Sequence, residues 1–173
     1  MVAFGSLSKR SNVPGMRSGY VAGDAAILAK FLLYRTYHGG AMNPAVQAAS
    51  IAAWKDEAHV VENRRLYRDK FAQVTALLSE VAQVEIPEAA FYLWLPTPVP
   101  DTEFARALHA DYNVTVLPGS YLAREARGVN PGRNFVRVAL VPPAADCLEA
   151  AQRLRSCLSK LQREADNTLK AHS

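Results

Sequence analysis

The order of apolar and polar positions divides the chain into short extended runs and longer helical ones. Residues 2–7 read as a short buried strand and residues 17–23 as a second, with Asn12, Pro14 and Gly15 marking a loop between them. Asp24 is a helix N-cap for a segment over about 25–36, and Gly39-Gly40 breaks the chain. Asn43-Pro44 is a second helix start, a capping side chain followed by proline at the first helical position. Apolar residues at Trp54, Ala58, Val61, Tyr67, Phe71, Val74, Leu78 and Val81 then step by three and four. They predict one very long helix, or two separated by a break near Asp56–His59. Short strands follow at 83–86, 91–95, 114–117 and 134–141, each stopped by proline, with a helix from Asp101 to about Tyr112. Leu148, Ala151, Leu154, Leu158 and Leu161 line one face of a final helix, and the tail after about Ala165 is polar and expected to fray.

This alternation of strands and helices predicts an α/β chain. A boundary is expected near residues 39–43. Two strands and a helix before it cannot close a core alone, and a self-sufficient unit follows over 44–165, with 166–173 as a tail. The chain has 173 residues, 50% of them hydrophobic and 21% charged, an ordinary globular composition. Its formal charge of +4 is spread over pairs such as Arg64-Arg65, Arg124 with Arg127 and Arg153 with Arg155. No block of like charge points to nucleic acid, and the balance suits anionic small molecules. Cys147 and Cys157 stand ten residues apart in one helical pattern, so they cannot face each other. They read as free thiols of a reducing, cytoplasmic setting. No apolar run is long enough to span a membrane, and the first residues do not read as a signal peptide.

Candidate chemistry concentrates in Ser6-Leu-Ser-Lys9-Arg-Ser-Asn-Val-Pro14-Gly15-Met-Arg17-Ser-Gly19-Tyr20. A lysine at a strand end, beside hydroxyls and eight residues before an arginine, suits an anionic aldehyde cofactor. The amine condenses with the aldehyde, and the guanidinium offers a planar fork to a phosphate. The plainer interpretation is a surface Lys-Arg pair in a serine-rich loop. Ser6-Leu-Ser-Lys9 also fits the S-x-x-K of serine β-lactamases, but their Ser-Asp-Asn and Lys-Thr-Gly tripeptides are missing and Pro14-Gly15 forbids a long helix after the lysine. Arg137, inside the apolar run Asn134-Phe-Val-Arg-Val-Ala-Leu140, needs an anionic partner, a ligand or an inter-domain carboxylate. The aromatics of Phe91-Tyr92-Leu-Trp94 read as core more readily than as ligand contacts. No metal-ligating cluster is expected.

Ser-Leu-Ser-Lys9 followed by Pro14-Gly-Met-Arg17-x-Gly19-Tyr20 resembles the cofactor-lysine motif of class I/II aminotransferases, the fold type I enzymes that use pyridoxal 5'-phosphate (PLP). The resemblance implies that Lys9 holds the cofactor and moves the substrate Cα proton. It makes Ser6 and Arg17, with Ser8 beside them, phosphate ligands, and Arg137 the partner of the substrate α-carboxylate. Pro118-Gly119 resembles the family's turn before a site-facing loop, although a plain strand-ending turn fits as well. Arg35, Tyr37 and His38 lie where the family reaches the neighbouring subunit's substrate, so Arg35 and His38 become candidates for its distal end; a basic helix end is the alternative.

Two longer runs, Tyr34-Arg-Thr-Tyr-His-Gly-Gly-Ala-Met and 117–140, resemble bacterial N-succinyldiaminopimelate aminotransferases. That likeness implies amino transfer between glutamate/2-oxoglutarate and N-succinyldiaminopimelate in lysine and cell-wall precursor synthesis. The substrates are amino acids and 2-oxo acids, and the full-length enzyme is expected to be a homodimer. Residues 1–43 become the remnant of a large PLP-binding domain and 44–165 the small domain. The motif-rich stretch begins within six residues of the start, and complete members are more than twice as long. The glycine-rich phosphate turn, the ring-stacking aromatic, the Asn and Tyr on the ring oxygen and the Asp on the pyridine nitrogen have no counterpart here. The chain is therefore expected to be a fragment, weakly active or inactive alone, exposing apolar surface from residues 2–34. The competing expectation is the non-catalytic ligand-binding domain of a PLP-responsive transcription regulator.

Overall fold

The computed structural model describes residues 1–171. The chain forms two compact units, Met1–Arg65 and the part from Leu66 onward. The expected boundary near residue 43 falls inside the first of these.

In the first unit, β1 (Val2–Ser6) and β2 (Gly19–Gly23) pair antiparallel with Val2 opposite Gly23 and Ser6 opposite Gly19. Between them stand one helical turn, α1 (Leu7–Arg10), and a 3-10 turn, Pro14–Met16. Lys9 therefore sits on a helical turn beyond the strand, where a strand end followed by loop was expected. The Asp24 carboxylate accepts from the Ile27 N–H at 3.0 Å and starts α2 (Ala25–Tyr37). Asn43 accepts from the Ala45 N–H at 2.8 Å and, with Pro44, starts α3 (Pro44–Lys55). Both caps fall where the sequence places them.

The long helical pattern is two helices. α3 ends at Lys55, and α4 (Ala58–Leu78) restarts after Asp56, whose carboxylate accepts from the Ala58 N–H at 2.9 Å. The break shifts the helical phase, so Val60 is buried and Val61, expected on the apolar face, is 62% exposed. Strand β1 was expected to be buried, yet Phe4 is 71% exposed, as are much of Ile27, Leu32, Leu33 and Tyr34 on α2. The exposure expected over residues 2–34 is present: a two-stranded sheet and one helix have too few faces to cover each other.

The second unit holds a three-stranded antiparallel sheet in the order β3 (Tyr92–Pro96), β5 (Phe135–Ala139), β4 (Leu117–Pro118). The later part of α4, α5 (Asp101–Tyr112) and α7 (Ala144–Ala171) supply the helical side of its core. Phe71, Val74 and Leu78 meet Leu93 and Leu95, Phe104 and Leu108, Val136, and Ala151, Leu154 and Leu158. The steps of Phe71, Val74 and Leu78 and of Ala151, Leu154 and Leu158 follow the predicted helix period. Three local expectations fail. Residues 83–86 form no strand. The 114–117 strand shrinks to Leu117–Pro118, followed by a helical turn, α6 (Gly119–Leu122). The last helix continues through Ala171, past the fraying point expected near Ala165; residues 172 and 173 lie outside the described residues. Cys147 and Cys157 are free and buried. Burial pushes the Cys147 thiol up and the Cys157 thiol to about 11. No helix among the described residues is long and apolar enough to cross a membrane.

Candidate functional site

Leu7 anchors the lysine-bearing turn. It is fully buried, and its N–H donates to the Ser18 carbonyl at 3.2 Å, so α1 is pinned at its base while Lys9 stays exposed two residues on. The segment just after Lys9 is fastened to the α3–α4 region by side chains that the sequence did not single out. Arg10 donates to the Ala53 carbonyl at 2.9 Å, lies 4.7 Å over the Trp54 ring and pairs with Glu57. Ser11 and His59 share a hydrogen bond of 2.9 Å, and the Asn12 amide donates to Asn63 at the same distance. The Ser50 hydroxyl, buried on α3, donates to the Val46 carbonyl and lies 2.7 Å from the buried Ser18 hydroxyl. Polar residues on a helix read as solvent-facing in a sequence; only the fold shows that these are spent on holding a loop.

A cleft of about 800 Å³ opens in this unit. Ser6, Arg17 and Arg35 line it together with apolar side chains including Phe4, Met16 and Phe31. No carboxylate lines it, so its charge is positive. Arg17 takes a left-handed backbone (φ 50°), unusual for a residue with a side chain, and closes the Pro14–Met16 turn. Its guanidinium donates to the Pro14 carbonyl at 2.7 Å, leaving further N–H groups of the fork. Arg35 donates to the Gly40 carbonyl at 3.2 Å. Ser6 has extended backbone at the start of α1, and its hydroxyl caps nothing in that turn. Lys9, the half-buried Ser8 and His38 do not line this cleft. His38 ends α2 and stacks on Tyr34 with ring centroids 4.5 Å apart.

In the second unit, Arg137 is the central residue of β5, opposite Trp94 on one side and Leu117 on the other. Its guanidinium lies 4.4 Å over the Tyr92 ring. Among the described residues it has no hydrogen-bond or ion-pair partner. The expectation that the aromatics of β3 are core is overturned by strand alternation. Leu93 and Leu95 are fully buried, whereas Trp94 is 43% exposed and Tyr92 half-buried on the face that carries Arg137. Arg137 also lines a cleft of about 540 Å³ with the segment 113–117 and with Asp146, Glu149 and Arg153 of α7.

Two buried charges escaped the sequence reading. Lys70 lies 4.3 Å over the Tyr67 ring and donates to the carbonyls of Leu140 at 2.6 Å and Pro142 at 3.0 Å, fixing the end of β5. Asp101, 3% exposed, accepts from the Ser120 N–H at 2.9 Å, the Ser120 hydroxyl at 2.6 Å and the Asn134 N–H at 3.2 Å. Burial pushes its carboxyl up, but these hydrogen bonds outweigh it and hold the group below the usual carboxylate value. Its position at the start of a predicted helix makes it look like a solvent-facing first-turn acid; three donors from two residues distant in sequence make it a core residue. No cluster of three or more His, Cys, Asp or Glu among the described residues is placed to hold a metal.

Comparison with known proteins converges on one family. Residues 1–154 match the model of "Aminotransferase class I and II". The chain is 35% identical over 156 residues to 4-dedimethylamino-4-oxo-anhydrotetracycline transaminase of Streptomyces rimosus, covering 89% of this chain and 41% of that protein. It is 34% identical over 159 residues to LL-diaminopimelate aminotransferase of Syntrophobacter fumaroxidans, covering 89% and 39%. Among solved structures, an aminotransferase from Neisseria meningitidis superposes with a TM-score of 0.87 at 54% identity, over 91% of this chain and 40% of that one. The probable N-succinyldiaminopimelate aminotransferase of Thermus thermophilus gives 0.79 at 33% identity, over 91% and 42%. The chain spans about two fifths of the length of these relatives. With the α/β fold, the lysine motif and a family match over most of its length, this chain belongs to the class I and II aminotransferases.

Proposed function

We propose that this chain contributes the cofactor lysine and the carboxylate-binding arginine of a PLP-dependent aminotransferase that moves an amino group between glutamate/2-oxoglutarate and N-succinyldiaminopimelate. The observation that carries the reading is the cleft in which Ser6 and Arg17 meet with no carboxylate in its lining. Such a lining fits an anionic, partly apolar group of the size of PLP. Ser6 and Arg17, which line that cleft, would hold its phosphate; Ser8 and Lys9 lie outside the lining, and the family's lysine motif assigns them to the phosphate and to the aldehyde carbon. When bound, the cofactor supplies an electron sink that acidifies the substrate Cα–H. The protein's part is then to place and to move a proton. The Lys9 amine is the base at Cα, on a turn that Leu7 and Arg10 keep from shifting. Arg137, over the Tyr92 ring and with no carboxylate partner among the described residues, grips the substrate α-carboxylate. Arg35 and His38 are assigned to the distal carboxylate, in a homodimer through the neighbouring subunit.

The diaminopimelate branch is favoured by relatives named for that substrate and by a solved structure named for its N-succinyl form. Because the chain spans about two fifths of those relatives, it is read as part of the catalytic assembly, weak or inactive on its own. The test is borohydride reduction of the purified chain after incubation with PLP, followed by peptide mapping. Label confined to Lys9 and lost in Arg17→Ala is expected. Label spread evenly over the lysines would overturn the assignment of Lys9.

A further inference from the structure

We infer that Asp101 is the positioning residue for Arg137, pinning both ends of the loop that runs from Ser120 to Asn134 so that β4 and β5 present the guanidinium in one register. The inference rests on the reading of Arg137 as the carboxylate grip.

Strand β4 is two residues long, and its pairs are Leu117 with Arg137 and Pro118 with Val136. Two pairs cannot define a register by themselves, because so short a ladder carries little of its own stability. β5 takes its register from five pairs with β3, and the short β4 is held against it with the help of one carboxylate. One Asp101 oxygen takes the N–H and hydroxyl of Ser120, just beyond β4, and the other takes the N–H of Asn134, just before β5. Asn134 itself is held in a left-handed conformation (φ 63°), and its carbonyl accepts from the Thr97 N–H at 2.9 Å beyond β3. Asn is one of the few residues with a side chain that takes this conformation readily, which suits the turn into β5.

The rest of the loop is organised on the same two points. Asn130 donates to the Ser120 carbonyl at 3.1 Å and accepts from the Gly132 N–H at 2.9 Å. Gly119 and Gly132 bring their backbones so close that a Cβ on either would collide with the other's carbonyl. Trp94, the cross-strand neighbour of Arg137, stacks on Phe135 with centroids 5.7 Å apart and also touches the Gly119 position. Asp101 has no cationic partner among the described residues. Its charge is balanced by these donors, and the start of α5 adds a favourable dipole. A neutral Asn in its place keeps the shape but cannot accept from both strands with full charge.

The experiment uses the full 173-residue chain as wild type, Asp101→Asn, Asp101→Glu and Ser120→Ala. Amide exchange is followed at Ser120, Asn134 and Leu117, and the Arg137 Nε–H resonance, shifted by the Tyr92 ring, reports the site directly. Asp101→Asn is expected to speed exchange at Ser120 and Asn134 by about tenfold and to move the Arg137 resonance. Leu108 and Val74 amides in the core should not change. Ser120→Ala, which removes one donor of three, should give a smaller shift in the same direction, and it decides the matter if Asp101→Asn fails to fold. Asp101→Glu, restoring the charge, should bring the Arg137 signal back toward wild type. An Arg137 resonance unmoved in both Asp101→Asn and Ser120→Ala would overturn the inference. Titration with 2-oxoglutarate on the wild type and Arg137→Ala tests the underlying reading separately: no response at Arg137 sinks the carboxylate grip, whatever Asp101 does.

Discussion

From Leu66 onward the chain closes a core of its own, while Met1–Arg65 leaves large apolar side chains in water and spends its polar ones on fastening a loop. The second unit buries leucines of β3 and of three helices against each other, with Phe104 and Val136 among them. The first has Leu7 and Val60 as its buried large hydrophobics. The contrast shows that the segments carrying Lys9 and Arg137 are held by different forces within their own units. The Lys9 turn is tied by directional hydrogen bonds and ion pairs around Arg10, Ser11 and Asn12. Arg137 stands on a strand backed by a packed hydrophobic layer, with Asp101 and Lys70 fixing its ends.

The sharpest way to break this comparison is to cut into the packed half. Phe104→Ala removes a fully buried ring and is expected to cost about 3–5 kcal/mol in a denaturant titration of the second unit. A loss below about 1 kcal/mol would mean that the unit is not held by its core.

Next in size is the Asp101 clamp. Its folded carboxyl lies below the ordinary value near 3.9, so it favours the folded state at pH above that value, and the contribution is lost as the pH falls through the folded value. Stability below about pH 5 should fall more steeply in wild type than in Asp101→Asn, which should already be weaker by about 1–3 kcal/mol at neutral pH. Parallel pH curves would remove the charge from the account.

In the first unit Asp24→Ala should unravel the start of α2 and cost about 1 kcal/mol, read as lost helicity in that unit. The smallest effect tests the open face itself. Leu33, 58% exposed, should tolerate Leu33→Ser within about 0.5 kcal/mol while lowering binding of a hydrophobic dye. A large loss of stability there would show that the face is covered in solution. The thiols give an independent check on the packed half: with Cys157 raised to about 11 and both cysteines buried, neither should react with a thiol reagent at pH 8 without denaturant.

Most of the elements were legible because their signals are local. Asp24 and Asn43 cap the helices they were expected to cap, and the 3.6-residue spacing of Phe71, Val74 and Leu78 and of Ala151, Leu154 and Leu158 is the core face observed. Errors came where one residue's role depends on another far along the chain. Val60 replaced Val61 because the Asp56 break re-phased the helix. Tyr92 and Trp94 lie on the open face because Leu93 and Leu95 took the buried one, and a strand cannot bury both.

The sequence alone determined the lysine motif, the family it resembles, the caps and the apolar periods, since each is written in neighbouring or regularly spaced residues. Only tertiary structure decided that Ser6, Arg17 and Arg35 share a cleft, that Arg137 lies over the Tyr92 ring, and that Asp101 and Lys70 are buried. Those facts depend on which distant backbone groups arrive to satisfy a charge. Desolvation and hydrogen bonding are set by surroundings that no local pattern records.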